Sequence, residues 1–453
     1  MKTVNPTTGE LVAEYPDHTW SEVEARLEAA QRAFQEWRRV PIGTRAEPMR
    51  RAADRLEARK EELARLMAVE MGKPLAAGRA EVDKCAWVCR YYADEAERML
   101  ADRAIATGRP KSYVHHEPLG TVLAVMPWNF PFWQVFRFVA PGLMAGNTGV
   151  LKHASNVTGS ALVIEEIMTE AGFPAGVFAT LVIPSSMVGA VLDHPAIVAA
   201  TLTGSDPAGR AVASRAGALL KKTVLELGGS DPYLILADAD LGPAAATCAA
   251  SRLINGGQSC IAAKRFIVVE EVAEEFTDRF VAEMAKVEMG DPLEERTTLG
   301  PQARHDLRDE VAGQVKRTVE AGARLLLGGT VPDGPGAFYP PTVLAGVEKG
   351  MPAYHDEIFG PAAALITVAN ENEAVAVAND TQFGLGAAIF SKDLARAERL
   401  AAERIEAGCC FVNALVASDP RLPFGGIKTS GYGRELSDLG IREFVNQKTV
   451  VVG

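Results

Sequence analysis

A cysteine in a glycine-rich turn, an acid at the end of an apolar run and an asparagine framed by prolines are the residues best placed here for covalent chemistry. Cys260 lies in INGGQSCIAAKRF, where Gly256 and Gly257 permit a tight backbone approach. Such a turn can aim peptide N–H groups at a bound oxyanion beside the thiol. Read from these residues alone, Cys260 is either a nucleophile or an inert buried thiol. The other cysteines, Cys85, Cys89, Cys248, Cys409 and Cys410, have no comparable setting. Glu226, in VLELGGS, ends an apolar run just before Gly228 and Gly229. Burial there would raise its pKa towards that of a general base, although a structural acid would read the same way. Asn129, in PWNFP, stands in a frame stiffened by Pro127 and Pro131, with its amide available as a hydrogen-bond donor.

A second set of residues suits an anionic or nucleotide ligand. No G-x-G-x-x-G run is present; instead AIVAATLTGSDPAGR places Gly204 and Gly209 around a strand-to-helix turn whose helix N-terminus can face a phosphate. GVLKHAS adds Lys152 at a strand end, with Ser155 as a partner in a phosphate or ribose clamp. Glu357 in DEIFGP either orders a polar ligand or caps a turn, and the glycines around Phe424 in LPFGGIKTSGYGRE form either a ligand loop or a structural one. Arg137, in the apolar run PFWQVFRF, demands an anion: an ion pair within the protein, or a carboxylate held by its planar fork.

These residues need a large framework, and the sequence provides one. Its 453 residues leave room for two or three domains, and 48% hydrophobic with 23% charged residues matches ordinary cores. Lys plus Arg is 47 against 58 for Asp plus Glu, a formal charge of −11, which argues against a general nucleic-acid or lipid-surface binder. The cysteine spacings C-x3-C and C-C fit neither a disulfide scaffold nor a zinc set, so no metal is expected. MKTVNPTTGE lacks an apolar signal segment and no apolar run reaches membrane-spanning length, so a cytoplasmic protein is expected.

The first hundred residues read as charged helices: one through VEARLEAAQRAFQEW, capped by Thr19 or Ser21, one over roughly 43–69 ended by Gly72-Lys73-Pro74, and one over 80–99. From TVLAVMP to RFIVVE, short apolar strands alternate with helices, and a second such round runs from Glu271 to about Lys392. That is the pattern of an α/β protein with largely parallel sheets. A polar strand, KSYVHHEP, precedes the first round. The alternating strand REFVNQKTVVV closes the chain and needs an edge to pair with, which another subunit could supply.

Taken together, PWNFP (127–131), K-x-x-S (152–155), TGS (203–205), ELGG (226–229), GQSC (257–260), EIFGP (357–361) and PFGGIKTSG (423–431) make the chain resemble the aldehyde dehydrogenase superfamily. Within it the resemblance is strongest to the NADP-type succinate-semialdehyde dehydrogenases. It spans almost the whole chain and implies a Rossmann-type cofactor domain (1–102 and 119–228), an α/β catalytic domain (229–430) and a small β bridge for oligomerisation (103–118 and 431–453). A homodimer or homotetramer would follow.

By the same resemblance Cys260 is the nucleophile, Asn129 and the Cys260 N–H form the oxyanion hole, and Glu226 activates the hydrolytic water. Trp128, Lys152, Ser155, Gly204, Ser205, Gly209, Glu357 and Phe359 are expected to hold the cofactor. Ser155 stands where NAD-preferring relatives carry a carboxylate, so NADP is preferred and NAD is weaker. Arg137, with Ser259 and Ser418 and with Arg421 in reserve, is expected to take a substrate carboxylate. Phe132, Trp133 and Phe424 would wall the aldehyde channel. Two departures stand out: Ala262 replaces the second cysteine of redox-switched relatives, and Ile254 replaces the second substrate arginine of some semialdehyde enzymes. The alternative reading is a broader-specificity dehydrogenase of other small aldehydes. A relative that has lost catalysis and a CoA-acylating relative both fit less well with Cys260, Glu226 and Asn129 all present.

Overall fold

The computed structural model describes residues 1–453 and contains two large sheets. The first has six strands in the spatial order Gly431–Tyr432, Lys222–Glu226, Ile197–Thr203, Thr121–Met126, Thr148–His153 and Phe178–Thr180. All pair in parallel except Gly431–Tyr432, which runs antiparallel to Lys222–Glu226. The chain lays down Thr121–Met126, steps outward twice, then crosses back to place Ile197–Thr203 on the opposite side. This reversal opens a crevice beyond Met126 and Thr203, the position at which open α/β sheets bind ligands. The second sheet has seven strands, centred on Pro232–Ile235 and Arg265–Val269, and is parallel apart from its edge strand Arg324–Leu327.

Helix Trp133–Met144 is buried at every position, because it lies between the first sheet and helix Leu75–Leu100 within the largest apolar cluster. The segment expected as one helix over 43–69 is two, Ile42–Ala58 and Lys60–Met71, broken where Arg59 leaves helical geometry at φ −101° and ψ 11°. Glu61 and Glu62 then occupy the first turn of the second helix, where its dipole favours acids. Gly72, at φ 79°, ends that helix, and the next begins immediately after Pro74. Strand Cys409–Val412, at the far edge of the second sheet, and helix Leu394–Glu403 lie beyond the second α/β round expected from sequence.

The closing strand Val445–Val452 pairs antiparallel with Lys111–Pro118 of its own chain, residue for residue, in a three-stranded sheet completed by Arg103–Ala104. Its outer edge is unpaired. No helix is long and apolar enough to cross a membrane.

Candidate active site

Cys260 is placed by a turn that only a special backbone can make. Helix Leu241–Leu253 runs into a short turn, Ile254–Gly257, in which Asn255, Gly256 and Gly257 all have positive φ (54°, 66° and 76°). A side chain at Gly257 would collide with the backbone of Gly360 and Pro361. Arg252 Nη2 donates to the Gly257 carbonyl at 2.7 Å, and the Ala303 N–H donates to Gln258 Oε1 at 2.8 Å, pinning the turn from two sides. The PWNFP loop is laced to it: Asn129 Nδ2 donates to the Gln258 carbonyl at 3.0 Å, and Asn255 Nδ2 donates to the Asn129 carbonyl at 2.7 Å. Asn129 and Cys260 therefore form one rigid corner. His153 braces it from the neighbouring strand, its Nε2 donating to the Pro131 carbonyl at 2.8 Å while its Nδ1 accepts from the Ala154 N–H. Burial pushes the His153 pKa down to about 4, so the ring is neutral.

Two cavities of about 250 and 260 Å³ meet at this corner, and Cys260 and Gln134 are the residues common to their walls. The first opens at the crevice of the six-stranded sheet. Trp128, Asn129, Gly204, Ser205, Glu357 and Phe359 line it, with the Trp128 and Phe359 rings edge to face at 5.8 Å. The second is lined by Trp133, Phe424, Ser259, Ser418, Arg137 and the apolar Ile254.

The charges behind the corner are paired. Lys264 is buried; its ammonium donates to the carbonyls of Ser259 (2.8 Å) and Cys260 (2.7 Å) and lies 3.4 Å from Glu357. Its bond to the Ser259 carbonyl fixes the peptide plane that carries the Cys260 N–H. Burial pushes the Cys260 thiol up to about 12, against the pull of the Lys264 and Arg137 charges. Glu226 ends its strand with both carboxylate oxygens unbonded, and lines neither cavity. Burial first, and the Glu435 carboxylate second, hold it well above the usual carboxylate range, against Arg137. Gly425, at φ 152°, lies so close that a Cβ there would be 2.6 Å from Glu226 Oε1. Gly425→Ala is therefore expected to cost about 1–3 kcal/mol through backbone strain and crowding, read as a lower Tm, and to displace Glu226. An unchanged Tm and rate would show the approach to be loose.

Several sequence expectations need correction. Arg137 is no free fork: it is only 2% exposed, forms an ion pair with buried Glu435, donates to Thr203 Oγ1 at 3.1 Å and stacks over Phe424. Arg421 pairs with Asp419 at 2.6 Å and stays outside the cavity. Phe132 is fully buried in the helical core, and Phe130 takes its expected place on the wall. Gly209 lines neither of these two cavities; a Cβ there would lie 2.5 Å from Leu227, so its smallness serves helix–strand packing. Lys152 and Ser155 are off the cavity wall, at the end of strand Thr148–His153 and in the turn that follows. The Lys152 ammonium is largely buried with no carboxylate within ion-pair distance, and Ser155 is exposed beside it in sequence. A buried cation without an anion, the crevice and Glu357 together fit a phosphorylated dinucleotide.

Sequence reasoning missed Glu435, Lys264, Gln134, Glu81 and Lys84. Only Lys264 left a signal: Lys264 and Arg265 interrupt the apolar run IAAKRFIVV, and cations at the start of a buried strand must find acceptors.

An α/β framework with a cysteine at the junction of two cavities is suited to covalent catalysis on a bound ligand, and comparison with known proteins supplies its family. The aldehyde dehydrogenase family model matches residues 1–450, and the chain belongs to that family. A probable succinate-semialdehyde dehydrogenase [NADP(+)] of Synechocystis sp. is 51% identical over 450 residues, covering 99% of both chains. The succinate-semialdehyde dehydrogenase [NADP(+)] of Mycobacterium avium is 49% identical over 457 residues, covering 100% of this chain and 97% of its own. The crystal structure of succinic semialdehyde dehydrogenase from Streptococcus pyogenes, in complex with NADP+, superposes with a TM-score of 0.97 at 39% identity, covering 100% of this chain and 99% of that one.

Proposed function

We propose that this protein oxidises succinate semialdehyde to succinate, with NADP as hydride acceptor, through a thioester on Cys260. The observation that carries the reading is the position of Cys260 on the walls of both cavities, which lets one thiol meet an aldehyde from one side and a cofactor from the other. The relatives named as NADP-dependent succinate-semialdehyde dehydrogenases, at about half identity over the full chain, support the substrate and the cofactor.

In this mechanism the Cys260 sulfur, on losing its proton to solvent, attacks the aldehyde carbon. The Asn129 amide and the Cys260 N–H, its peptide fixed by Lys264, stabilise the charge that develops on oxygen. The bound nicotinamide supplies a hydride acceptor. Trp128, Gly204, Ser205, Glu357 and Phe359 would hold its half of the dinucleotide, and Lys152 and Ser155 the adenosine half. The acyl group left on sulfur is cleared by water, with Glu226 taking its proton once the carboxyl is ionised. Assayed with NADP and NAD, the protein should show its highest kcat/KM for succinate semialdehyde with NADP. Equal values for butanal would move the reading to a broad-specificity aldehyde dehydrogenase.

The cofactor preference rests on Lys152 and Ser155. A serine leaves room for a 2′-phosphate and the buried ammonium pairs with it, whereas a carboxylate at that position would repel it. Ser155→Glu is expected to lower kcat/KM for NADP by about 10- to 100-fold and to shift preference towards NAD. Unchanged preference would remove Ser155 from the selection.

The proposal includes a cofactor-binding unit (1–102 and 119–228), a catalytic unit (229–430), a bridge (103–118 and 431–453), a cytoplasmic location and a homodimer or homotetramer. The unpaired edge of Val445–Val452 supports assembly through strand addition. A monomeric mass by light scattering would overturn the assembly.

A further inference from the structure

Charge accounting in the second cavity leaves one cation without an anion, and it is not the arginine on the apolar helix. Arg137 is neutralised by Glu435, and the Glu81 carboxylate on the same wall by Lys73. Asp419, next to the cavity residue Ser418, is held by Arg421. Lys84, on helix Leu75–Leu100, lies on this wall with Cys260 and has no carboxylate within ion-pair distance. Its ammonium donates to Ser418 Oγ at 2.8 Å and sits over the Trp133 ring at 4.4 Å. Those contacts hold the charge in place without cancelling it. Because Ser418 accepts from Lys84, its own O–H is left to donate. An ammonium and a hydroxyl side by side form a ready site for one carboxylate.

We propose that Lys84, together with the Ser418 hydroxyl, receives the distal carboxylate of the aldehyde substrate. Arg137 is left to hold Glu435 beside Glu226. This assignment rests on the succinate semialdehyde reading above, and it explains how the site dispenses with a second arginine at Ile254. The groups facing Lys84 are Arg137 from helix Trp133–Met144, Glu81 and Cys85 from its own helix, and Asp419 from the loop that carries Ser418. Burial and the Arg137 charge lower its pKa to about 8, so the empty site passes from charged to neutral as pH rises through that value.

The test compares wild type, Lys84→Met, Lys84→Arg and Arg137→Met, each with succinate semialdehyde and with butanal. Lys84→Met should lower kcat/KM for succinate semialdehyde by about 30- to 1,000-fold, chiefly through KM, while butanal falls far less. Lys84→Arg should keep most of the preference for the acid. In wild type, KM for succinate semialdehyde but not for butanal should rise above about pH 8, and in Lys84→Arg this rise should vanish. Arg137→Met should depress both substrates alike. A wild type indifferent to the carboxylate would remove the substrate reading and this assignment together. A wild type that prefers succinate semialdehyde, with the preference intact in Lys84→Met, would overturn the assignment alone, as would equal losses on both substrates in a folded Lys84→Met.

Discussion

Replacing Cys260 by alanine is expected to lower kcat/KM for succinate semialdehyde by a factor of about 10⁴ or more, with the fold retained and NADP still bound. The size of the effect follows from the chemistry. An aldehyde hydrogen leaves as hydride only after a nucleophile has placed negative charge on the oxygen, and no other group common to the two cavities can do this: Gln134 is a neutral amide. Burial pushes the Cys260 thiol up to about 12, so it holds its proton in the free enzyme, while the Lys264 and Arg137 charges pull towards the thiolate. Activity should therefore rise with pH where thiolate formation limits the rate. Cofactor binding, followed by the quenching of tryptophan fluorescence, separates a lost nucleophile from a lost fold. Substantial turnover by a folded Cys260→Ala enzyme would exclude the thiol as nucleophile.

Glu226→Gln should fail at a different step. The first half of the reaction needs no hydrolytic water, so mixing enzyme, aldehyde and NADP should give a burst of reduced cofactor equivalent to the enzyme present. Steady turnover should then be slower than wild type by about 10²–10⁴-fold. The wild-type carboxyl is held protonated above its usual range by burial and by Glu435. Its hydrolytic step should accelerate as pH rises and the proton leaves, and Glu226→Gln should lack that limb. The buried position of Glu226, off both cavity walls, implies that its side chain or the water moves before hydrolysis. A Glu226→Gln enzyme with no burst and a wild-type steady rate would exclude the acid from this role.

What the sequence made legible was local. Gly256 and Gly257 advertise a tight turn in their own residue types and the prolines of PWNFP a stiff loop, so each half of the Cys260–Asn129 corner was legible locally. Their pairing came from the family resemblance, and the left-handed Asn255 from the structure. The alternation of apolar strands and helices likewise reported the parallel sheets. What escaped was pairing between distant segments. Arg137 asked for an anion, but nothing near it indicated that Glu435 would answer; the two meet because Phe424 and Glu435 form an antiparallel bridge that folds the glycine-rich loop onto the helix. Lys84 looked like an ordinary cation on a charged helix, and only the fold turns it towards Ser418 and Trp133. Gly209 shows the opposite error. Its spacing from Gly204 suggested a phosphate turn, whereas its missing side chain makes room for Leu227.

The most direct measurement is the mass of the peptide bearing Cys260, taken after Glu226→Gln enzyme has been mixed with succinate semialdehyde and NADP and quenched in acid. A succinyl group bound to Cys260, in an amount equal to the burst of reduced cofactor, is the expected result. Reduced cofactor formed while Cys260 remains unmodified, or a succinyl group on another residue, would contradict a reaction carried by this thiol.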